Sequence, residues 1–402
     1  MSDISSLLSE ESGPEAWKQD EAGRCRGQGL DIGEASVLSW LLHHAPELQW
    51  TPVLGSHRIS KVYMAIILLC LADMAYILVE HFGELETFML SLNAPHFMRY
   101  VVLIVPLTGV AAAAKISLGR NLITSEAVEE LFADLDSHME VADVSACLSQ
   151  VRQALEWGSL IGVLSPLCAG IAIIGGFLVS TKLYMICFHV LMPGLLCVSI
   201  GQGANYAVAF ASGLGITRVD IMCKELERVS SQAQCQRDEK FFLSLMAGYW
   251  KLDKQLMKIC KLSVSVVAVV VSTVLAVAYC AAMTYFTVDC RFWKVVCLLV
   301  FAACAYSAFA IIWPLAKLSD RCSSQRTLYS KPSLLVQLML CGEMEMTSME
   351  SAQYLRLVEI VKTCPLGAKM PIVGRITTSD IMTYVKLLCT LFPTLLAYTL
   401  SE

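Results

Sequence analysis

Charge is what this sequence has least of. Asp, Glu, Lys and Arg make up 16% of its 402 residues, whereas a soluble domain carries about 25% to cover its water-facing surface. Hydrophobic residues make up 56% and the mean hydropathy is +0.60, so much of the surface must face lipid. The net charge of −5 leaves no basic stripe to neutralise phosphates, which excludes nucleic acid as a partner. Asparagine is nearly missing. Asn93, Asn121 and Asn205 are the three present, and none heads an N-x-S/T sequon, which argues against glycosylated ectodomains. A basic n-region and an apolar core are also missing from the N-terminus, so residues 1–35 are expected to be a disordered acidic cytosolic tail and not a signal peptide.

Cysteine is plentiful, at seventeen, but the patterns that give it chemistry are absent. There is no C-x-x-C pair, no zinc spacing and no H-E-x-x-H. Most cysteines lie inside apolar runs, where the thiol acts as a small hydrophobe. With no nucleophile–base pair or metal constellation in view, neither an enzyme nor a cofactor is expected.

Long apolar runs are there instead. About 20 apolar residues cross a bilayer as a helix, and seven stretches qualify: Val62–Val79, His96–Ala114, Gly158–Ser180, Leu183–Ser212, Ile259–Phe286, Phe292–Leu315 and Ile381–Leu400. Spans three and four are joined by Thr181–Lys182, and spans five and six by Thr287–Arg291. The other internal links, save that between spans one and two, are long and fall on the side of the N-terminus. Juxtamembrane charge places that side inside: Arg58 and Lys61 precede span one, while Glu80, Glu84 and Glu86 follow it. Lys251, Lys254, Lys258 and Lys261 precede or open span five, and Lys317, Arg321 and Arg326 follow span six.

The expected fold is therefore all-α, a seven-transmembrane helical protein with its N-terminus inside, its C-terminus outside and cytosolic helical extensions. Residues 36–315 hold transmembrane helices 1–6 and their long cytosolic loops. Residues 316–380 form a cytosolic helical anchor, and 381–402 the seventh transmembrane helix. Within the loops, Val128, Phe132, Leu135 and Met139 recur at helical 4-3-4 spacing. Met222, Leu226 and Val229, then Phe242, Leu245, Met246 and Trp250, do the same. Ser125–Trp157, Val219–Lys258 and Ser333–Thr363 are expected to pack as an inner helical bundle.

Seven spans invite comparison with G-protein-coupled receptors, but the N-terminus reads inside. Span three ends in Val179–Ser180–Thr181 in place of D/E-R-Y, and span seven has no asparagine. The inverted topology, short outer loops and long helical inner loops resemble the insect chemoreceptor superfamily of gustatory and odorant receptors. The family's T-Y-h-h-h-h-h-Q-F motif opens its last span. Here Thr383–Tyr384 are followed by Val385, Lys386, Leu387, Leu388 and Cys389, and Thr390–Leu391 stand in place of Gln–Phe. The run Val373-Gly374-Arg375-Ile376-Thr377-Thr378-Ser379 also looks like the family's approach to that span. The resemblance implies a plasma-membrane, ligand-gated cation channel of gustatory type, opened by a small-molecule tastant or odorant. It further implies homo- or hetero-tetramers with copies or related subunits, and a pore lined by span seven. A secondary transporter with its substrate site around Asp73 and the polar groups of span four is the alternative from another class.

On span seven, Thr383, Leu387, Thr390 and Thr394 share one helical face. A threonine stripe can simply bond backbone carbonyls. It can also form a pore wall in which Leu387 is a hydrophobic constriction. Lys386, one turn from the inner end, is expected to snorkel. Asp73, midway along span one, is expected to bond a neighbouring helix. Gln202 and Asn205 are expected to hold helices together. In the outer halves, Phe177, Phe188, His189, Tyr279 and Tyr285 are candidates for an apolar ligand pocket.

Overall fold

In the computed structural model, residues 37–84, 87, 95–136, 141–179, 188–189, 192–231, 239–287, 291–330, 359, 369–370 and 374–401 are described. Apart from a short 3-10 turn over Pro46–Trp50, a two-residue antiparallel ladder and short turns such as Thr51–Ser56, they form helices. These are α1 Val37–His44, α2 His57–Glu80, α3 Pro95–Ile123, α4 Glu126–Asp136, α5 Val141–Val179, α6 Met192–Gly201, α7 Gly203–Ser231, α8 Glu239–Thr287, α9 Arg291–Ser330 and α10 Thr378–Ser401. The ladder pairs Lys369 with Arg375 and Met370 with Gly374 just ahead of α10. The expected tail over 1–35, Met139 and all of Ser333–Thr363 except Glu359 lie outside the described residues.

Five helices among the described residues are long and apolar enough to cross a membrane: His57–Glu80, Met192–Lys224, Ala247–Phe286, Arg291–Ser323 and Thr378–Tyr398. They correspond to spans one, four, five, six and seven. The two other expected spans fall on helices as well, α3 and α5.

The long helices run well past the bilayer. The 49 residues of α8 measure about 74 Å at 1.5 Å per residue, against roughly 30 Å of hydrocarbon. Spans five and six therefore continue as the helices of the adjoining links without a break, as does the second part of span four. Span four itself does break. Its first part, α6, ends at Gly201 and α7 restarts at Gly203, with a turn at Gln202 between them.

The inner bundle is built from α4, the first turns of α5, the start of α8 and the ends of α7 and α9. Val128, Leu131 and Leu135 of α4 are fully buried, as are Cys147 and Val151 of α5. Fully burying a side chain of this size contributes about 1.5–3 kcal/mol. On α8 the inward aromatic is Tyr249, 2% exposed, while Trp250 is 46% exposed. The apolar face runs on from Tyr249 through Leu252, Leu256 and Ile259, one residue out of phase with the expected Trp250.

Ion pairs lace the bundle's rim: Lys224 Nζ to Asp143 at 2.8 Å, Arg321 to Asp220, and Lys251 Nζ to Asp134 at 2.7 Å. Gln255 Nε2 also donates to Asp134, at 3.0 Å. Burial pushes the Asp134 carboxyl up, but the hydrogen bonds from Lys251 and Gln255 outweigh it and leave the group below its ordinary value. Its folded-state value is thus depressed. The stabilisation is complete above about pH 4 and is lost as pH falls through the folded value. Lys251 is well exposed, so Asp134→Asn should cost only about 0.5–1 kcal/mol at neutral pH. Thermal melts should show that loss at pH 7 and a smaller difference from the parent near pH 3.

Close approach packs the helices around the inner ends of the spans. A Cβ on Gly119 of α3 would stand 3.0 Å from Ala204 Cβ and 3.2 Å from its Cα on α7, so two small residues set that crossing. Trp157 of α5 meets Phe309 and Trp313 of α9 at ring-centroid distances of 4.8 and 5.8 Å.

Candidate functional site

Where α3, α6, α8 and α9 meet, a cavity of about 100 Å³ is left unfilled. Its composition follows from which residues each helix turns inward. From α8 come Val269, Val270, Val274 and Val277, a β-branched wall whose stiff rotamers cannot swing in to close the gap. Thr108, Ala111, Ala112 and Lys115 of α3 line the opposite side, small except for the lysine. Leu195, Cys197, Val198 and Gly201 of α6 and Val300, Ala303, Cys304 and Ser307 of α9 complete it. Thr273 Oγ1 spends its proton on the Val269 carbonyl at 2.8 Å, which keeps that hydroxyl satisfied inside an apolar wall.

The break in span four supplies the polar edge. Gln202 Nε2 donates to Ser307 Oγ at 2.8 Å, and Asn205 Nδ2 donates to the Gln202 carbonyl oxygen. Gln202 and Asn205 thereby tie α7 to α9, as expected of polar residues between membrane helices. Asn205 Oδ1 stays buried without a partner among the described residues.

Asp73 finds its neighbour in His189. The imidazole Nδ1 lies 3.1 Å from Oδ2 and 3.3 Å from Oδ1 of the carboxylate. Residues on spans one and four, 116 positions apart in the chain, thus share one polar contact.

The five candidate pocket residues are not brought together. None lines the cavity. Phe177, Phe188 and Tyr279 are exposed, and His189 is engaged with Asp73. Tyr285 is buried in a cluster with Ala281, Cys297 and Leu298, against which Phe392, Leu395 and Leu396 of α10 pack. Its hydroxyl reaches the Leu395 carbonyl at 3.5 Å. Pocket-lining residues that sequence patterning passes over include Lys115 and the valines of α8, because a valine-rich span looks alike on every face.

The last helix is held at its start and on one side. Thr377 and Asp380 form a capping box: Asp380 Oδ2 accepts from the Thr377 amide at 3.0 Å and from its hydroxyl at 2.7 Å, and the Asp380 amide returns to Thr377 Oγ1. Asp320 of α9 accepts from the Thr378 amide at 3.0 Å and from its hydroxyl, which fastens the foot of α10 to α9. Above that foot, Ile381, Val385, Leu388, Phe392 and Leu395 turn inward.

The stripe of Thr383, Leu387, Thr390 and Thr394 turns outward, with Leu387 61% exposed. Each threonine donates to the carbonyl four residues back, on Ser379, Lys386 and Thr390 in turn, at 2.8–2.9 Å. A hydroxyl that has given away its proton still offers lone pairs outward. Tyr384 and Lys386 are exposed as well. Pro393 sits inside the helix, where it forfeits one backbone bond.

No protein-family model and no curated protein matches this chain. A solved structure does. The insect olfactory receptor OR5 from Machilis hrabei is similar over 85% of this chain and 89% of its own, at a TM-score of 0.51 and 12% sequence identity. At that identity the likeness speaks for architecture alone: the chain carries the fold of an insect olfactory receptor.

Proposed function

We propose that this protein is a chemosensory receptor subunit of gustatory type, acting as a ligand-gated cation channel and not as an enzyme. It works in the plasma membrane with all seven spans crossing, its N-terminus inside, and with further copies or related subunits completing a tetramer. The observation that carries this reading is the one-sided packing of α10. Its inward face rests on α9, and its outward face of three threonines and Leu387 is exposed. Copies arranged around an axis would cover that face, present hydroxyl lone pairs to cations and narrow at Leu387.

The half-open cavity between α3, α6, α8 and α9 is the ligand site in this scheme, and the tastant or odorant is a small molecule of matching size. Expression in a heterologous cell with a small-molecule panel and current recording tests the proposal. Ligand-evoked cation current is expected. A chain present at the surface that passes no current with any ligand, alone or beside related subunits, overturns it. An N-terminal tag accessible from outside intact cells would do the same for the orientation.

The foot of α10 gives a further expectation. Asp320→Ala removes the acceptor that holds Thr378, so α10 should move more freely against α9. A shift of roughly threefold or more in half-activating ligand concentration is expected, since losing a charge-assisted bond changes a two-state balance by about 1 kcal/mol or more. Dose–response curves for Asp320→Ala and the parent check it.

A further inference from the structure

Lys115 follows the alanine run at 111–114, where a boundary lysine would ordinarily send its ammonium to the interface. It does not. Lys115 is 4% exposed and lines the cavity. A Cβ on Gly201 would stand 3.6 Å from its Cδ, so the stem is laid against α6. Among the described residues no Asp or Glu lines the cavity, and Lys115 has no hydrogen-bond or ion-pair partner among them. A lone ammonium against a mostly apolar lining is costly, and the cost falls when an anion shares the cavity.

Resting on the assignment of the cavity as the ligand site, we infer that it selects small monocarboxylates. The carboxylate sits against Lys115 Nζ, and a short alkyl tail lies along Val270 and Val274. The size of the ligand follows from the space. A cavity of roughly 150 Å³ admits one benzene ring, so the 100 Å³ here suits an acid of about two to three carbons. The same geometry excludes two neighbours. An alcohol of equal length leaves the ammonium unpaired, and an amine adds a second cation beside it.

The test uses the full chain in nanodiscs, with thermal unfolding read against sodium propionate, propan-1-ol and propylamine at constant ionic strength. Propionate is expected to raise the midpoint by a few degrees; the alcohol and the amine are not. Lys115→Met, an unbranched apolar replacement of similar length, should fold and lose the propionate shift. Ala303→Leu, which fills the cavity from α9, should lose it with Lys115 intact. Equal shifts from propionate and propan-1-ol overturn the inference, and so does a propionate shift that survives in Lys115→Met. Propionate stabilisation without any current leaves it standing and counts against the channel. Current evoked by other ligands with no propionate shift overturns the inference alone.

Discussion

Leu387→Ser should conduct in the absence of ligand. Leu387 stands on the outward face of α10 between Thr383 and Thr390, and in the proposed assembly four copies meet there. A ring of leucines narrows the path until water leaves it, and such a barrier needs no charge. Each leucine withdrawn from water is worth about 1.5–3 kcal/mol. Losing even one such increment moves the closed–open balance by tenfold or more, since tenfold corresponds to about 1.4 kcal/mol. Basal current should therefore rise at least about tenfold. Leu388→Ser is the control, because Leu388 turns towards the rest of the chain. It should lower surface abundance and leave basal current at the parent level. Equal behaviour of the two, with no basal current in either, would place the barrier elsewhere.

His189→Ala should be the most damaging single change among the intramembrane polar residues. It leaves Asp73, which His189 Nδ1 approaches at 3.1 Å, without that partner midway along span one. An acidic group near the centre of a membrane helix costs about 2.5–3.5 kcal/mol on insertion scales, and removing one partner of a pair exposes that cost. Surface abundance should fall several-fold. The double change Asp73→Leu with His189→Leu removes both polar groups and should recover most of the loss. Quantitative surface labelling of the single and double variants decides the point. A double variant no better than His189→Ala would mean that the pair itself contributes the stability.

The apolar runs made much of this fold legible. Runs of aliphatic residues set where spans one, four, five, six and seven lie, because bilayer thickness fixes the length of run required. Tyr249 shows where that legibility ends. Its neighbour Trp250 fits the same helical period, and only the packing of α8 on α4 decides which aromatic turns inward. The same limit hid the cavity. Its walls are valines and alanines that match the rest of their spans, so nothing in the pattern marks the face that is left unfilled.

Nothing in the sequence marks Lys115, since it gives no sign that α3 continues to Ile123 and buries it. Gln202 was legible as a polar residue between helices; that the span also breaks there was not, because the flanking glycines have many other uses in membrane helices. Asp73 and His189 were each visible alone. Their pairing depends on how spans one and four rotate, and that is set by tertiary contacts. The threonine stripe keeps its two readings in the structure: its hydroxyls do bond backbone carbonyls, and its face is open.

Cysteine accessibility along α10 tests the central claim most directly. In a Cys389→Ser background, since Cys389 is itself exposed, single cysteines would be placed at 383, 387, 390 and 394, and at 385, 388 and 392. Ligand-evoked current is then recorded while a charged, water-soluble thiol reagent is applied. If α10 lines the conduction path, the first set should be blocked, with 390 and 394 reacting fastest from outside, and the second set should be untouched. Block confined to 385, 388 and 392, or no block on either face, would contradict the account.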